Sequence, residues 1–208
     1  VSVAEHTGVS SGVAALAVAT VPLSTLVCGY FWGARNTRLE WAGVILGMIG
    51  IAMLNMGSTL QSSPMGAALL LFAAASWAFG SVWSRRLPLP PGAMASAAEM
   101  LVAGVTLLIA SALTGEHLQA MPPLEGWLAL AYLAVFGSII AFNAYMYLLK
   151  HVRPAAATSY AYVNPAVAVL LGIVFVGESI GLEESLAMLV IISAVLLISL
   201  PQWRKPKL

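Results

Sequence analysis

The 208-residue chain is 61% hydrophobic and 8% charged, with a mean hydropathy of +0.94 and a net charge of +1. A soluble domain carries about 25% charged residues, so this chain lacks the polar groups to cover itself in water and reads as facing lipid. A near-neutral chain offers no general basic field for nucleic acid, and the single cysteine, Cys28, cannot form an internal disulfide.

A membrane-spanning helix needs about 20 mostly apolar residues, because each adds only about 1.5 Å. Seven stretches fit in chain order, predicting an all-α integral membrane protein with seven transmembrane helices. The first, 12–33, carries Pro22. Its connector, 35–40, holds Thr37-Arg-Leu-Glu40, the spacing of a capping box ahead of the second stretch, 41–57. That stretch is short and contains Gly43-x-x-x-Gly47 with Gly50 nearby, which permits close helix contact and reads as packing. Connector 58–64 leads to the third stretch, 65–84, with Ser76, Trp77 and Ser81 midway. After 85–91 comes 92–114, which contains Glu99; after 115–125 comes 126–149, with Ser138, Asn143 and Tyr147. Connector 150–154 precedes 155–177, where Thr158, Tyr160, Tyr162 and Asn164 stand before Pro165. Connector 178–185 ends in Gly181-Leu-Glu-Glu184, whose acids favour a helix N-terminus. The last stretch, 186–200, also short, is followed by a basic tail at 201–208.

If the stretches alternate across a bilayer, all nine Lys and Arg fall on one side: Arg35, Arg38, Arg85, Arg86, Lys150, Arg153, Arg204, Lys205 and Lys207. The other side has none and collects Glu5, Glu116, Glu125, Glu178, Glu183 and Glu184. Basic residues stay cytoplasmic during insertion, so the C-terminus is expected in the cytoplasm and Val1 in the periplasm. A miscount by one would scatter the nine charges over both sides.

The first two stretches resemble the last two without a gap. An offset of 143 residues pairs Pro22 with Pro165, Val9 with Val152, Ala14 with Ala157, Gly29 with Gly172, Leu39 with Leu182, Glu40 with Glu183 and Leu54 with Leu197. The offset covers five stretches, an odd number, so the copies must cross the membrane in opposite directions. Inverted repeats of this kind are common in secondary transporters. Arg35 pairs with Glu178, a cation facing an acid across the proposed membrane. The second copy starts near Met65, so its partner is expected to start about 80 residues before Val1. The chain opens Val-Ser-Val-Ala-Glu-His6 with no initiator Met and no signal peptide, and is expected to be the C-terminal seven helices of a ten-helix, five-plus-five parent. Residues 1–57 would then hold the tail of helix 3 with helices 4 and 5, and residues 65–200 helices 6 to 10.

Ten helices in two inverted fives resemble the EamA branch of the drug/metabolite transporter superfamily, and more narrowly its bacterial inner-membrane YedA-like members. The likeness is carried by Val3-Ala-Glu-His6, Ala19-Thr-Val-Pro-Leu23, Ser76-Trp-Ala-Phe-Gly-Ser-Val82, Glu99-Met-Leu-Val-Ala-Gly104, Phe136-Gly-Ser-Ile-Ile140, Asn143-Ala-Tyr-Met-Tyr147 and Thr158-Ser-Tyr-Ala-Tyr-Val-Asn-Pro165. The resemblance implies export or exchange of small metabolites through a central cavity by alternating access, in the bacterial inner membrane. It implies no particular substrate. The family's first and third helices help line the cavity, so this chain alone is expected to be an incomplete transporter.

The candidate cavity residues are Trp77, Glu99, Asn143, Tyr147, Thr158, Tyr160 and Asn164. A carboxylate inside a span costs about 2.5–3.5 kcal/mol on insertion scales. Glu99 therefore reads as a proton-coupling or amine-pairing group, or else as a packing residue that reaches an interface. Proline frees the carbonyl four residues back, here Ala161, and broken membrane helices are tolerated where they are buried or line a cavity. Pro22 repeats that kink. Tyr160 and Asn164 share a helix face and read as cavity wall or as an interfacial tyrosine belt with a packing kink. Asn143 and Tyr147 share a face of the fifth stretch and read as substrate contacts or interhelix bonds. Trp77 reads as packing or as cavity wall.

A seven-helix receptor or light-driven pump matches the span count, but no lysine lies in the last stretch to hold a retinal, and the repeat is foreign to such folds. An intramembrane enzyme would need a nucleophile–base pair, whereas there is no Asp and no His within a stretch. A membrane scaffold protein without transport is the remaining alternative. No cofactor and no metal site is expected. The expected partners are the lipid bilayer, a small-molecule metabolite and a second copy in a homodimer, with no nucleic acid.

Overall fold

The computed structural model describes residues 11–56, 63–90, 92–116, 121–171 and 181–203. The described residues form ten α-helices: α1 Ser11–Ala19, α2 Val21–Phe31, α3 Arg38–Leu54, α4 Pro64–Ser84, α5 Ala93–Thr114, α6 Leu124–Tyr132, α7 Phe142–His151, α8 Pro154–Thr158, α9 Tyr160–Leu171 and α10 Leu182–Trp203. A π-helical stretch, Leu133–Ala141, joins α6 to α7. Five segments are long and apolar enough to cross a membrane: Val13–Phe31, Pro64–Ser84, Ala93–Thr114, Leu124–His151 and Leu182–Pro201. The chain is an all-helical membrane protein. Helix also occupies the second and sixth predicted stretches. However, α3 is only 17 residues long, and the sixth stretch is interrupted at Ser159 and described as far as Leu171. The readings placed on Glu5, His6, His117, Glu178, Arg204, Lys205 and Lys207 lie outside the described residues.

The helix starts follow local chemistry. Thr37 N donates to Glu40 Oε2 at 2.7 Å while Glu40 N donates to Thr37 Oγ1 at 3.2 Å, completing the predicted capping box of α3. Ser63 accepts from Gly66 N at 3.1 Å with Pro64 in the first turn of α4. Glu183 and Glu184 occupy the first turn of α10, as expected. Gly115 ends α5 in the left-handed conformation, at φ 71°.

The residues form two compact units, one reaching Arg86 and resuming at Val152, the other spanning Leu87–His151. In the first, α3 packs on α10 through its glycines. A Cβ on Gly43 would lie 2.7 Å from Ile198, and one on Gly50 would lie 2.7 Å from Ile191. Partner numbers fall as α3 numbers rise, so the two helices run antiparallel. Between them, Gly47 leaves room for the Tyr162 ring of α9, which a Cβ would meet at 2.7 Å. Tyr162 is fully buried and its hydroxyl donates to the Val44 carbonyl at 3.1 Å. Leu26, Val44, Ile51, Ala155, Ile191 and Ile198 complete this core. In the second unit the buried residues, Ala95, Ser96, Tyr145, Met146 and Leu149, come from α5 and α7. Its large side chains mostly face outward, Leu101 at 70% and Leu113 at 83% exposure. Apolar surface on that scale suits a lipid solvent rather than water.

Candidate functional site: a cleft between two proline-bearing helices

Two helical segments of the first unit are broken near proline. Between α1 and α2 the chain turns at Thr20, whose hydroxyl donates to the Ala17 carbonyl at 2.6 Å, two residues before Pro22. Between α8 and α9 it turns at Ser159, where Thr158 Oγ1 donates back to the Pro154 carbonyl (3.1 Å) and Ser159 Oγ to the Ala156 carbonyl (2.9 Å). Hydroxyls bonding back along a helix compete with its backbone ladder, so this break sits six residues ahead of Pro165. Pro165 itself lies inside α9.

A cleft of about 470 Å³ opens beside these segments, lined by Ala14, Ala15 and Val18 of α1, Leu54 and Asn55 at the end of α3, and Ala161, Asn164, Pro165, Ala168 and Val169 of α9. Proline has no N–H to give the carbonyl four residues back. For Pro22 that carbonyl belongs to Val18, for Pro165 to Ala161, and both residues line the cleft. They are also related by the 143-residue offset. Among the described residues the cleft lining is mostly apolar, with amides at Asn55 and Asn164 and no charged side chain. Asn55 Nδ2 donates to the Ile51 carbonyl at 2.8 Å. The cleft sits toward the end of α3 and α9 opposite Arg38 and Arg153, which stand where those segments begin.

Of the residues singled out from sequence, Asn164 and Pro165 line this cleft. Thr158 is fully buried at the end of α8, two residues before α9, and Tyr160 is half-buried at the start of α9. Trp77 lies on α4 at 40% exposure. Glu99, Asn143 and Tyr147 belong to the second unit. Glu99 is half-buried six residues into α5. Asn143 Nδ2 donates to the Ile139 carbonyl of its own segment at 2.7 Å, where π winding returns to α. Tyr147 is 61% exposed and stacks on His151 with ring centroids 3.9 Å apart. Sequence reasoning missed Asn55, a polar residue closing an apolar stretch, and Val18. The four-residue proline rule that found Ala161 finds Val18 too when applied to Pro22.

An all-helical membrane protein with a weakly polar cleft between broken helices has the make-up of a solute transporter. The profile of the EamA-like transporter family matches residues 64–200. The chain is 55% identical over 206 residues to the inner membrane transporter YedA of Escherichia coli K12, covering 99% of this chain and 67% of that protein. It is 25% identical over 173 residues to the transporter YdfC of Bacillus subtilis 168, covering 82% and 56%. A solved crystal structure at 23% identity shares the fold with a TM-score of 0.74, over 94% of this chain and 68% of that one. The chain belongs to the EamA-like transporter family, the one its residues resemble.

Proposed function

We propose that this protein is a secondary transporter that exports or exchanges small metabolites across the bacterial inner membrane by alternating access, with the α1–α3–α9 cleft as its substrate path. The observation that carries this is the pairing of Val18 with Ala161. One repeat offset puts Val18 and Ala161, each four residues ahead of a proline, at a single cleft, as an inverted pair of broken helices would. The antiparallel run of α3 and α10, themselves related by that offset, supports two inverted copies, with residues 65–200 as the second. Asn55 and Asn164 supply directional hydrogen bonds to a solute whose body is mostly apolar. Glu99, a carboxylate within an apolar helix, is the proposed coupling group, because intramembrane acids of this kind mark proton and ion pathways. The basic end is proposed to face the cytoplasm.

The test is solute counterflow in proteoliposomes of the ten-helix parent, against a panel of amino acids, amines, nucleosides and sugars. A transported solute is expected to lose its flux on Asn164→Ala and keep it when Leu113, exposed near the end of α5, becomes Ala. If flux survives Asn164→Ala unchanged, the cleft is not the path.

A further inference from the structure

Glu40 was read from sequence as a helix cap, yet the structure gives it a second set of partners. It is 1% exposed. Besides Thr37 N and Thr37 Oγ1, its carboxylate accepts from Arg153 Nε at Oε1 and from Arg153 Nη2 at Oε2 (2.8 Å). Arg153 Nη2 also donates to the Arg35 carbonyl at 2.6 Å. Arg153 is the residue ahead of α8, so this bidentate pair ties the start of the α8–α9 segment to the start of α3. Neighbouring arginines add to the same end. Arg85 Nη1 donates to the Val152 carbonyl at 3.0 Å, and Arg86 Nη2 donates to the Trp32 carbonyl. Partial desolvation, and then nearby Arg153, lower the Arg85 pKa. A buried charge pair needs excellent geometry and costs heavily when one partner is lost, so it favours the one arrangement that satisfies it.

Among the described residues the opposite end shows no such pair. The repeat offset sends Glu40 to Glu183 and Arg153 to Ser10, replacing a cation with a hydroxyl. Glu183 is exposed in the first turn of α10, whereas Glu40 is buried in that of α3. The cleft lies toward this end of α9, away from Arg153. We propose that the Glu40–Arg153 pair is a one-sided lock that holds the basic end of the cleft helices closed, so that the cleft rests open to the other side. The inference builds on the alternating-access reading, and the two can fail separately.

The test uses the chain in lipid vesicles with Cys28→Ser and one reporter cysteine, at Ala157 (buried near the lock) or at Ala168 (exposed in the cleft). The reading is the rate of reaction with a membrane-impermeant maleimide. Glu40→Gln removes the charge but keeps the capping box, which Gln also completes. It is expected to speed labelling at position 157 about tenfold and to slow labelling at 168 as the far end closes. Arg153→Gln is expected to do the same, the double variant no more than either alone, and Arg153→Lys less. Unchanged labelling at 157 in Glu40→Gln overturns the lock. Faster labelling at both positions also overturns it, since the pair would then only hold the fold together. Faster labelling at 157 with 168 unchanged upholds the lock and overturns alternating access.

Discussion

At Gly47 there is no room for a side chain. The Tyr162 ring sits where a Cβ would go, and it is held there by full burial and by its bond to the Val44 carbonyl. Gly47→Ala is therefore expected to destabilise the protein by about 1–3 kcal/mol, the usual cost of overpacking. Tyr162→Phe leaves the ring in place and removes one hydrogen bond, with an expected cost of about 1 kcal/mol. Thermal unfolding in detergent measures both, and a neutral Gly47→Ala would contradict the packing described. Glu99 calls for a functional test, because its carboxylate stands within an apolar helix. Glu99→Gln keeps its size and hydrogen-bonding reach but cannot titrate. Flux driven by a pH gradient is expected to fall about tenfold or more while solute binding persists, the pattern of a lost proton carrier. Wild-type flux with unchanged pH dependence would remove Glu99 from the mechanism. Residue chemistry was legible in sequence where a local rule applied, as at the Thr37–Glu40 cap and the Gly43, Gly47 and Gly50 contacts. It was not legible for Arg153 on Glu40, because the two lie 113 residues apart and no local pattern joins them.

Among the elements, the broken segments behave differently from their prolines. The sequence places the sixth-stretch break at Pro165, whereas the chain turns at Ser159, where two adjacent hydroxyls bond back to the helix. Pro165 instead leaves the Ala161 carbonyl without its helical donor beside the cleft. Pro165→Ala restores that donor, so the helix is expected to gain thermal stability. Counterflow is expected to drop several-fold, if the freed carbonyl serves the solute path. Lower stability with normal flux would assign Pro165 to packing alone. The π winding at Leu133–Ala141 had no counterpart in the sequence reading, since apolar periodicity over nine residues does not separate it from α winding. Helix α3 is the short crossing, 17 residues, because Thr37 fixes its start and the chain leaves the helix at Asn55.

Over the whole molecule, the pattern of charge was more informative than any motif. Every Lys and Arg falls on one side of an alternating seven-stretch reading. The described helices begin or end at the expected places: Arg38 opens α3, Arg85 follows α4, Lys150 and His151 close α7, and Arg153 precedes α8. Family membership follows from the residues and from the relatives together, while the solute does not, because a cleft lined by alanines, valines and two amides selects by shape more than by charge. The split into two units was not visible in the apolar pattern, which treats the stretches as equivalent.

The claim on which the account stands is that the chain crosses the bilayer seven times with its basic end in the cytoplasm. Single cysteines at Arg35, Asn55, Arg85, Glu116 and Lys150, in a Cys28→Ser background, test it through impermeant thiol labelling of right-side-out and inside-out vesicles. Positions 35, 85 and 150 are expected to label only from the cytoplasmic side and positions 55 and 116 only from the periplasmic side. Labelling of 116 and 150 from the same face would contradict the seven-span arrangement, and with it the cleft's place as a path across the membrane.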